Sequence, residues 1–284
     1  MGRPIKPLSF SSWARLPGRA LLVSKLAIAI GLAAACTLAR AQTDLQVSAG
    51  VMDFSYKEFS SSGAVLDKED AYLPGITGDL GHRIGAWRIS ANGSFFSGSA
   101  DYGGQTQAGV PANTNTDEQL WSAGLRVERQ IQMGSASLSP YLGLAYHEWR
   151  RDIKNGRTVN NTPVTGLLEV YSWKTAELGA LLWFGAGSGG LQAGIDARVF
   201  TTVAPELQVR VPGTGRDTLL ELGEETGGRV ALLGTYPLGA RLRLRLEAFY
   251  ERWAFGQSPV RNGIFEPRSE TQTAGLLVGL IHSF

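Results

Sequence analysis

The last fourteen residues of the chain, TQTAGLLVGLIHSF, alternate between apolar side chains and small or polar ones. Successive side chains of a β-strand point to opposite faces, so the apolar positions share one face. They are Ala274, Leu276, Val278, Leu280 and Phe284, with His282 on the same face, while Leu277 and Ile281 are apolar exceptions on the opposite face. A strand of this kind suits a sheet that lies between lipid and an aqueous interior. The last strand of a soluble sheet can alternate in the same way, so other features of the chain must decide.

The terminal aromatic residue on this strand resembles the C-terminal assembly signal of bacterial outer-membrane barrels. In that family the barrel-assembly machinery recognises the strand. The resemblance implies a candidate assembly signal made of Phe284, Leu280, Val278 and Leu276. It also implies the assembly machinery and periplasmic chaperones as partners.

Residues 1–41 have the organisation of a secretory signal peptide. They contain six basic and no acidic residues, then the apolar run LAIAIGLAAACTLA, then Ala39-Arg-Ala41. This order predicts cleavage after Ala41 and a mature domain over residues 42–284. A lipoprotein cleaved before Cys36 is the alternative, although the usual leucine is missing from the residues before it.

Removal of the leader changes the charge balance. Six of the 27 lysines and arginines leave, so 21 basic residues face 25 acidic ones and the net charge becomes −4. Nucleic-acid binding then loses its support. The only cysteine, Cys36, also leaves, which excludes disulfides and cysteine-ligated metals from the mature domain.

The mature sequence contains no apolar run of 18 or more residues, so it predicts no transmembrane helix. An exported chain rich in alternating segments spans lipid only as a closed barrel, because lipid offers no hydrogen-bond partners to free backbone groups. We therefore expect an all-β fold, a closed antiparallel transmembrane β-barrel in the outer membrane of a Gram-negative bacterium.

Alternating segments and their connections predict about ten strands, while about eight or about twelve stay possible because each signal is weak. The expected strands are 45–57, 73–83, 87–100, 117–131, 137–150, 168–184, 191–202, 226–237, 241–253 and 270–284. Long connections near 58–72, 101–116, 151–167, 203–225 and 254–269 alternate with short glycine-bearing turns. This rhythm is typical of extracellular loops and periplasmic turns.

The strand RLRLRLEAFY at 241–250 has leucines on one face and charged residues on the other. In a barrel the leucines face lipid and the charges pair across the lumen. The predicted lumen charge network is Arg243, Arg245, Glu247, Glu251, Glu128, Glu177, Asp196 and Arg198.

Aromatic residues near the predicted strand ends suggest two belts at the water–lipid boundaries. The outer belt is expected to contain Tyr56, Phe59, Phe96, Trp121, Trp149, Tyr171, Trp173, Tyr250 and Trp253. The periplasmic belt is expected to contain Trp87, Tyr141, Trp183, Phe184, Tyr236 and Phe284. Lipopolysaccharide contacts are predicted for Arg126, Arg150 and Arg151 near the outer rim.

The ten-strand plan with five long loops resembles the omptins, outer-membrane proteases, with comparable strands at PYLGLAY (140–146) and TAGLLV (273–278). Omptin chemistry needs an Asp pair and a His–Asp pair. No Asp-x-Asp lies around Asp101 and Asp117, and the segment 203–225 has no histidine. His147 is the histidine best placed for chemistry, but we favour a structural role for it. We expect no catalytic residues, no cofactor and no metal site.

Three classes of function remain at this stage. A charged lumen favours a small pore or channel, and five polar loops favour a surface-binding, adhesin-like barrel as the alternative. An omptin-like protease is disfavoured by the missing histidine. The expected lipid partners are the outer-membrane lipid and lipopolysaccharide.

Overall fold

The computed structural model describes residues 42–106, 109–185, 190–213 and 216–284. The predicted signal peptide, with Cys36, lies outside the described residues. Ten long strands occur in these ranges: β1 Gln42–Phe59, β2 Val65–Ile84, β3 Trp87–Gln105, β4 Pro111–Arg129, β5 Ala136–Ile153, β6 Leu168–Phe184, β7 Gln192–Val211, β8 Thr226–Pro237, β9 Leu242–Phe255 and β10 Arg268–Ser283. Short strands are Ile131–Met133, Gly156–Thr158, Pro163–Val164 and Arg216–Glu221.

The ten strands form one closed antiparallel ring. Each pairs with the next in sequence, and β10 returns to β1, where Val278 lies opposite Ala49. Closure leaves none of the long strands as an unpaired edge, as a wall in contact with lipid requires. The predicted closed ten-stranded barrel is confirmed. The described ranges contain no helix that is long and apolar enough to cross a bilayer.

Eight of the ten strands are longer than predicted, β6 and β8 have the predicted bounds, and the predicted long loops are correspondingly shorter. The first long connection was expected at 58–72, but β1 and β2 pair until Phe59 opposes Val65. The charged segment around Glu69 is therefore part of the wall of the barrel. We call the end at which β2 turns into β3 through Gly85 and Ala86 the turn end, and the opposite one, where β1 turns into β2, the loop end.

Outward-facing side chains divide the wall into two zones. An apolar band lies nearer the turn end and exposes Leu45, Val47, Val51, Leu125, Val127, Leu142, Leu144, Leu178, Leu232, Leu276, Val278 and Leu280. Towards the loop end the outward face becomes polar, for example at Lys57, Asp70 and Gln119. A strand of 20 residues tilted by about 40° rises roughly 50 Å, about twice the height of such a band. We call the polar zone the crown.

The predicted outer aromatic belt is mostly wrong. Tyr56, Phe96, Trp149, Tyr171, Trp173 and Trp253 are buried inside the barrel, each with at most 6% exposure. Phe59, Trp121 and Tyr250 alone among the predicted outer set lie on the outward face. At the turn end Trp87, Phe184 and Tyr236 are exposed, whereas Tyr141 and Trp183 point inward. The sequence showed aromatic residues near strand ends, but most of them pack in the interior.

Candidate functional site

The interior of the barrel has two layers. A fully packed layer inside the crown, which we call the plug, consists of Phe54, Tyr56, Glu58, Glu69, Glu118, Trp149, Arg151, Glu169, Tyr171, Phe255 and Glu266. A cavity of about 430 Å³ with charged and apolar lining, which we call the lumen cavity, lies between the plug and the turn end.

Stacked aromatic rings form the body of the plug. The ring of Trp149 lies 5.5 Å from that of Phe54, 5.0 Å from that of Tyr56 and 4.7 Å from that of Tyr171. Phe255 continues the stack from the other side of Tyr171 at 5.7 Å. These rings come from β1, β5, β6 and β9, so they connect walls on different sides of the barrel. Each of these five rings is at most 1% exposed, so they are closely packed across this layer.

Arg151 is the cation at the centre of the plug. Its Nη1 lies 2.7 Å from Glu169 Oε2, and its Nη2 lies 3.0 Å from Glu69 Oε1. Its guanidinium carbon also lies 4.3 Å from the centre of the Tyr56 ring. Arginine stays charged when buried and presents a planar set of donors, so it can hold two carboxylates and an aromatic face together.

Five glutamates surround this single guanidinium, so they cannot all be ionised at low cost. Burial, with the neighbouring Glu69 charge, raises the pKa of Glu118 well above its usual range. Glu118 Oε1 receives no hydrogen bond from any described residue. A protonated Glu118 resolves this, because its own O–H can then donate to Glu69. Burial also opposes ionisation of Glu69, but Arg151 prevails and holds its pKa below the usual value.

Glu266 extends the plug from the connection between β9 and β10. Its Oε1 accepts hydrogen bonds from Tyr171 at 2.7 Å and from Tyr56 at 3.0 Å. Its backbone N–H donates to Ser258 Oγ at 2.8 Å, which fixes this connection over the loop end. Burial, reinforced by the Glu169 charge, raises the pKa of Glu266 to about 8.

Below the plug, ion pairs cross between strands along the lumen cavity. Arg198 pairs with Glu177 at 3.2 Å and with Glu251 at 2.9 Å. Arg229 pairs with Glu251 at 3.1 Å and with Glu247 at 2.6 Å. These side chains point into the lumen, as predicted, and each retains some access to water.

We call these ion pairs the lumen ladder, and the remaining predicted lumen charges lie around it. Arg245 pairs with Glu247 at 3.0 Å, and Asp196 accepts a hydrogen bond from Tyr141 at 2.6 Å. Glu128 lies 3.6 Å from Arg88. Arg243 lines the cavity but takes part in none of the ion pairs between described residues.

Sequence reasoning did not place five arginines of the described residues in the interior: Arg83, Arg88, Arg126, Arg151 and Arg229. Arg88 joins Asp44 at 2.7 Å and also contacts Asp79. The two-residue period contained the signal for all of them, because each alternates with exposed residues of its own strand.

The lipopolysaccharide prediction is wrong for Arg126 and Arg151. Both face inward: Arg126 lies 3.8 Å from Asp196 and over the Tyr141 ring, and Arg151 is 1% exposed within the plug. Leu144 faces out on β5, so alternation places Arg150 outward and Arg151 inward. Of the three, Arg150 alone faces outward and is exposed.

His147 packs as a structural residue rather than as part of a catalytic pair. Its ring stacks on Trp173 with centroids 4.9 Å apart, and its Nε2 lies 3.1 Å from Thr175 Oγ1. No carboxylate hydrogen-bonds to the ring in the described ranges. Searching the same ranges finds no group of three or more His, Cys, Asp or Glu side chains that could hold a metal ion.

Residues of the candidate assembly signal lie on the outward face at the turn end. Leu276, Val278, Leu280 and Phe284 are all exposed. His282 shares this face and contacts the Phe284 ring edge-on at 4.7 Å. Recognition of this strand by the assembly machinery stays a prediction.

Comparison with known proteins shows the fold alone. No family model and no curated protein matches the chain. The outer-membrane protease OmpT from Escherichia coli is similar in structure, with a TM-score of 0.60 and 10% identity over 87% of this chain and 98% of that chain. A major outer-membrane protein from Thermus thermophilus has a TM-score of 0.44 and 11% identity, covering 86% of this chain and 100% of that chain. The likeness to OmpT confirms the predicted omptin-like architecture.

Replacement of Arg151 by Met should strongly destabilise the barrel, because it leaves buried carboxylates without their cation. We expect a loss of about 3–5 kcal/mol in the free energy of unfolding. Arg150→Met changes the exposed neighbour and should cost less than about 0.5 kcal/mol in phospholipid vesicles. Denaturant titration of the refolded proteins measures both, and equal effects would contradict the role given to Arg151. Repeating the control with lipopolysaccharide in the vesicles tests the contact predicted for Arg150.

Stability should also depend on pH through Glu266. Its pKa is higher in the folded protein than the ordinary 4.5, so the folded state holds more protons between those values. The free energy of unfolding therefore falls as pH rises from about 4.5 to about 8. Glu266→Gln keeps an acceptor for both tyrosines and should flatten this part of the pH profile. The exposed control Glu206→Gln should leave the profile unchanged; an unaltered slope in the Glu266 variant would refute the assignment.

Proposed function

We propose that the protein is an integral outer-membrane barrel with a sealed lumen, whose activity is binding at the crown rather than conduction of solutes. The observation that carries this proposal is the plug. A barrel with about ten strands has an interior that side chains can fill, and here aromatic rings and an ion cluster fill it at the level of the crown. This argues against the pore, the first of the functions suggested by the sequence.

The crown supports the binding half of the proposal. Its wall is built of paired strands rather than of free loops, so a partner would meet a preorganised surface and less ordering would be needed on binding. Charges of both signs lie on it, including the Lys57 and Glu270 pair of neighbouring positions on β1 and β10. Lipopolysaccharide and outer-membrane lipid are the proposed lipid partners, with Arg150, which lies on the crown opposite Gln119, as the candidate contact.

An enzymatic function receives no support from the interior. The five glutamates of the plug are each at most 7% exposed, so a substrate cannot reach them in this structure. His147 has a stacked ring and a threonine partner in place of a nucleophile and an orienting acid. We propose a non-catalytic barrel.

Conductance tests the sealed lumen. The refolded wild-type barrel in a planar bilayer should give no current steps, because the plug crosses the whole interior. A Trp149→Ala and Tyr171→Ala double variant that keeps heat-modifiable gel migration should give steps, since it removes the two largest rings of the plug. Steps in the wild type would refute the sealed lumen. A silent double variant would show that the plug is not the only seal.

Cysteine labelling tests location and orientation, because Cys36 is the only cysteine of the sequence and lies in the predicted signal peptide. Ser61 is exposed at the loop end, and Ser135 is exposed in a turn at the opposite end. A membrane-impermeant maleimide should label Ser61→Cys on intact cells and Ser135→Cys only after the outer membrane is opened. The reverse pattern would place the crown on the periplasmic side, and no labelling of either in the outer-membrane fraction would contradict the location.

A further inference from the structure

The arginines that line the lumen cavity differ in whether they have a carboxylate partner. Near the plug, its arginines are matched by Glu177, Glu247 and Glu251. At the turn end two arginines of the lining lack a carboxylate partner within the described residues. Arg83 donates to the neutral amide of Gln130, and Arg243 takes part in no ion pair. Arg88, at the same end, is instead surrounded by Asp44, Asp79 and Glu128, so the unmatched cations of this end are Arg83 and Arg243.

Arg243 has no opportunity to pair along its own row of the sheet. It lies opposite Pro237 on β8 and opposite Ile281 on β10, and neither side chain can accept a hydrogen bond. Arg245, two residues along the same face, is held by Glu247 through Nη2 but has no acceptor at Nε. The two side chains lie on one inward face, and their Cα atoms are roughly 7 Å apart along the strand. Buried donors of this kind are normally satisfied by water or by a ligand.

Apolar surface adjoins these two cations. The Trp183 ring centre lies 5.6 Å from the guanidinium carbon of Arg245. Gly194 makes room for the ring, because a Cβ there would approach the ring carbons to 2.7 Å. Leu233 and Ile281, at 6% exposure each, line the same cavity. A site with two cations beside an aromatic ring and aliphatic side chains suits an anion that has an apolar body.

We propose that the turn-end part of the lumen cavity is a binding site for a small organic anion, with its carboxylate or phosphate on Arg243 and Arg245 and its apolar or aromatic body against Trp183. The cavity volume of about 430 Å³ lies in the range of small-molecule sites. The ligand enters from the turn end, since the plug closes the other side. The site needs neither conduction nor crown binding, so its test is independent of the test of the proposed function.

Binding of phenyl phosphate, measured by equilibrium dialysis with the full-length refolded barrel, tests the site. The wild type should bind it saturably with a Kd below about 1 mM. The Arg243→Gln variant breaks no ion pair, so it should fold normally and bind at least roughly tenfold more weakly. Arg241→Gln is the matched control: Arg241 is exposed, precedes β9 and lies outside the cavity lining, and its loss should leave binding unchanged.

Inorganic phosphate separates the charged part of the site from its apolar part. Trp183→Leu should weaken phenyl phosphate binding and leave phosphate binding unchanged, because the ring contacts only the body of the ligand. Absence of saturable wild-type binding below about 1 mM would overturn the proposal. So would equal affinities of the wild type and the Arg243→Gln variant, or equal losses in the Arg243→Gln and Arg241→Gln variants. Heat-modifiable migration of every variant checks that each measurement is made on a folded barrel.

Discussion

Pairing of β1 with β10 is the interaction on which everything else in this protein depends. Sixteen residue pairs connect Asp44–Phe59 to Arg268–Ser283, and they turn a sheet with two open edges into a ring. A ring satisfies the backbone groups of the wall within the wall itself, which permits an apolar outward face. It also creates an interior, and the chain must fill that interior with side chains, water or ligand. Side chains fill the interior in the plug, whereas the lumen cavity leaves space for water or a ligand.

The two interior layers differ in how they treat charge. In the lumen cavity, arginines and carboxylates alternate between neighbouring strands and keep some contact with water, so each ion pair costs little desolvation. In the plug, a single Arg151 faces five glutamate side chains in a layer where each is at most 7% exposed. The raised pKa values of Glu118 and Glu266 favour proton uptake, which lowers the resulting repulsion. Solvation explains why similar side chains serve as a hydrated ladder in one layer and as a sealed cluster in the other.

Period-two alternation predicted the barrel and most of the lumen charges, because Leu276, Val278 and Leu280 on one strand and Arg245 and Glu247 on another obey it without interruption. The same rule, extended from Leu144 along β5, would have placed Trp149 and Arg151 inside. The error was to assign residues near strand ends to lipid-boundary belts by position alone. Two features had no sequence signal. The bulge at Ala204 and Pro205 inserts two residues opposite Trp173 and resets the alternation in β7, and Glu266 belongs to a connection without any period.

Contacts in the plug join parts of the chain that are far apart in sequence. Tyr56 and Glu266 are separated by 210 positions, and Arg151 and Glu69 by 82. Contacts with such large sequence separation form late, because the intervening chain must already be in place. The first and last strands have to meet before Glu266 can reach the two tyrosines. Sealing is thus a consequence of completing the ring, and a barrel that is still open between β1 and β10 has no means of closing its interior.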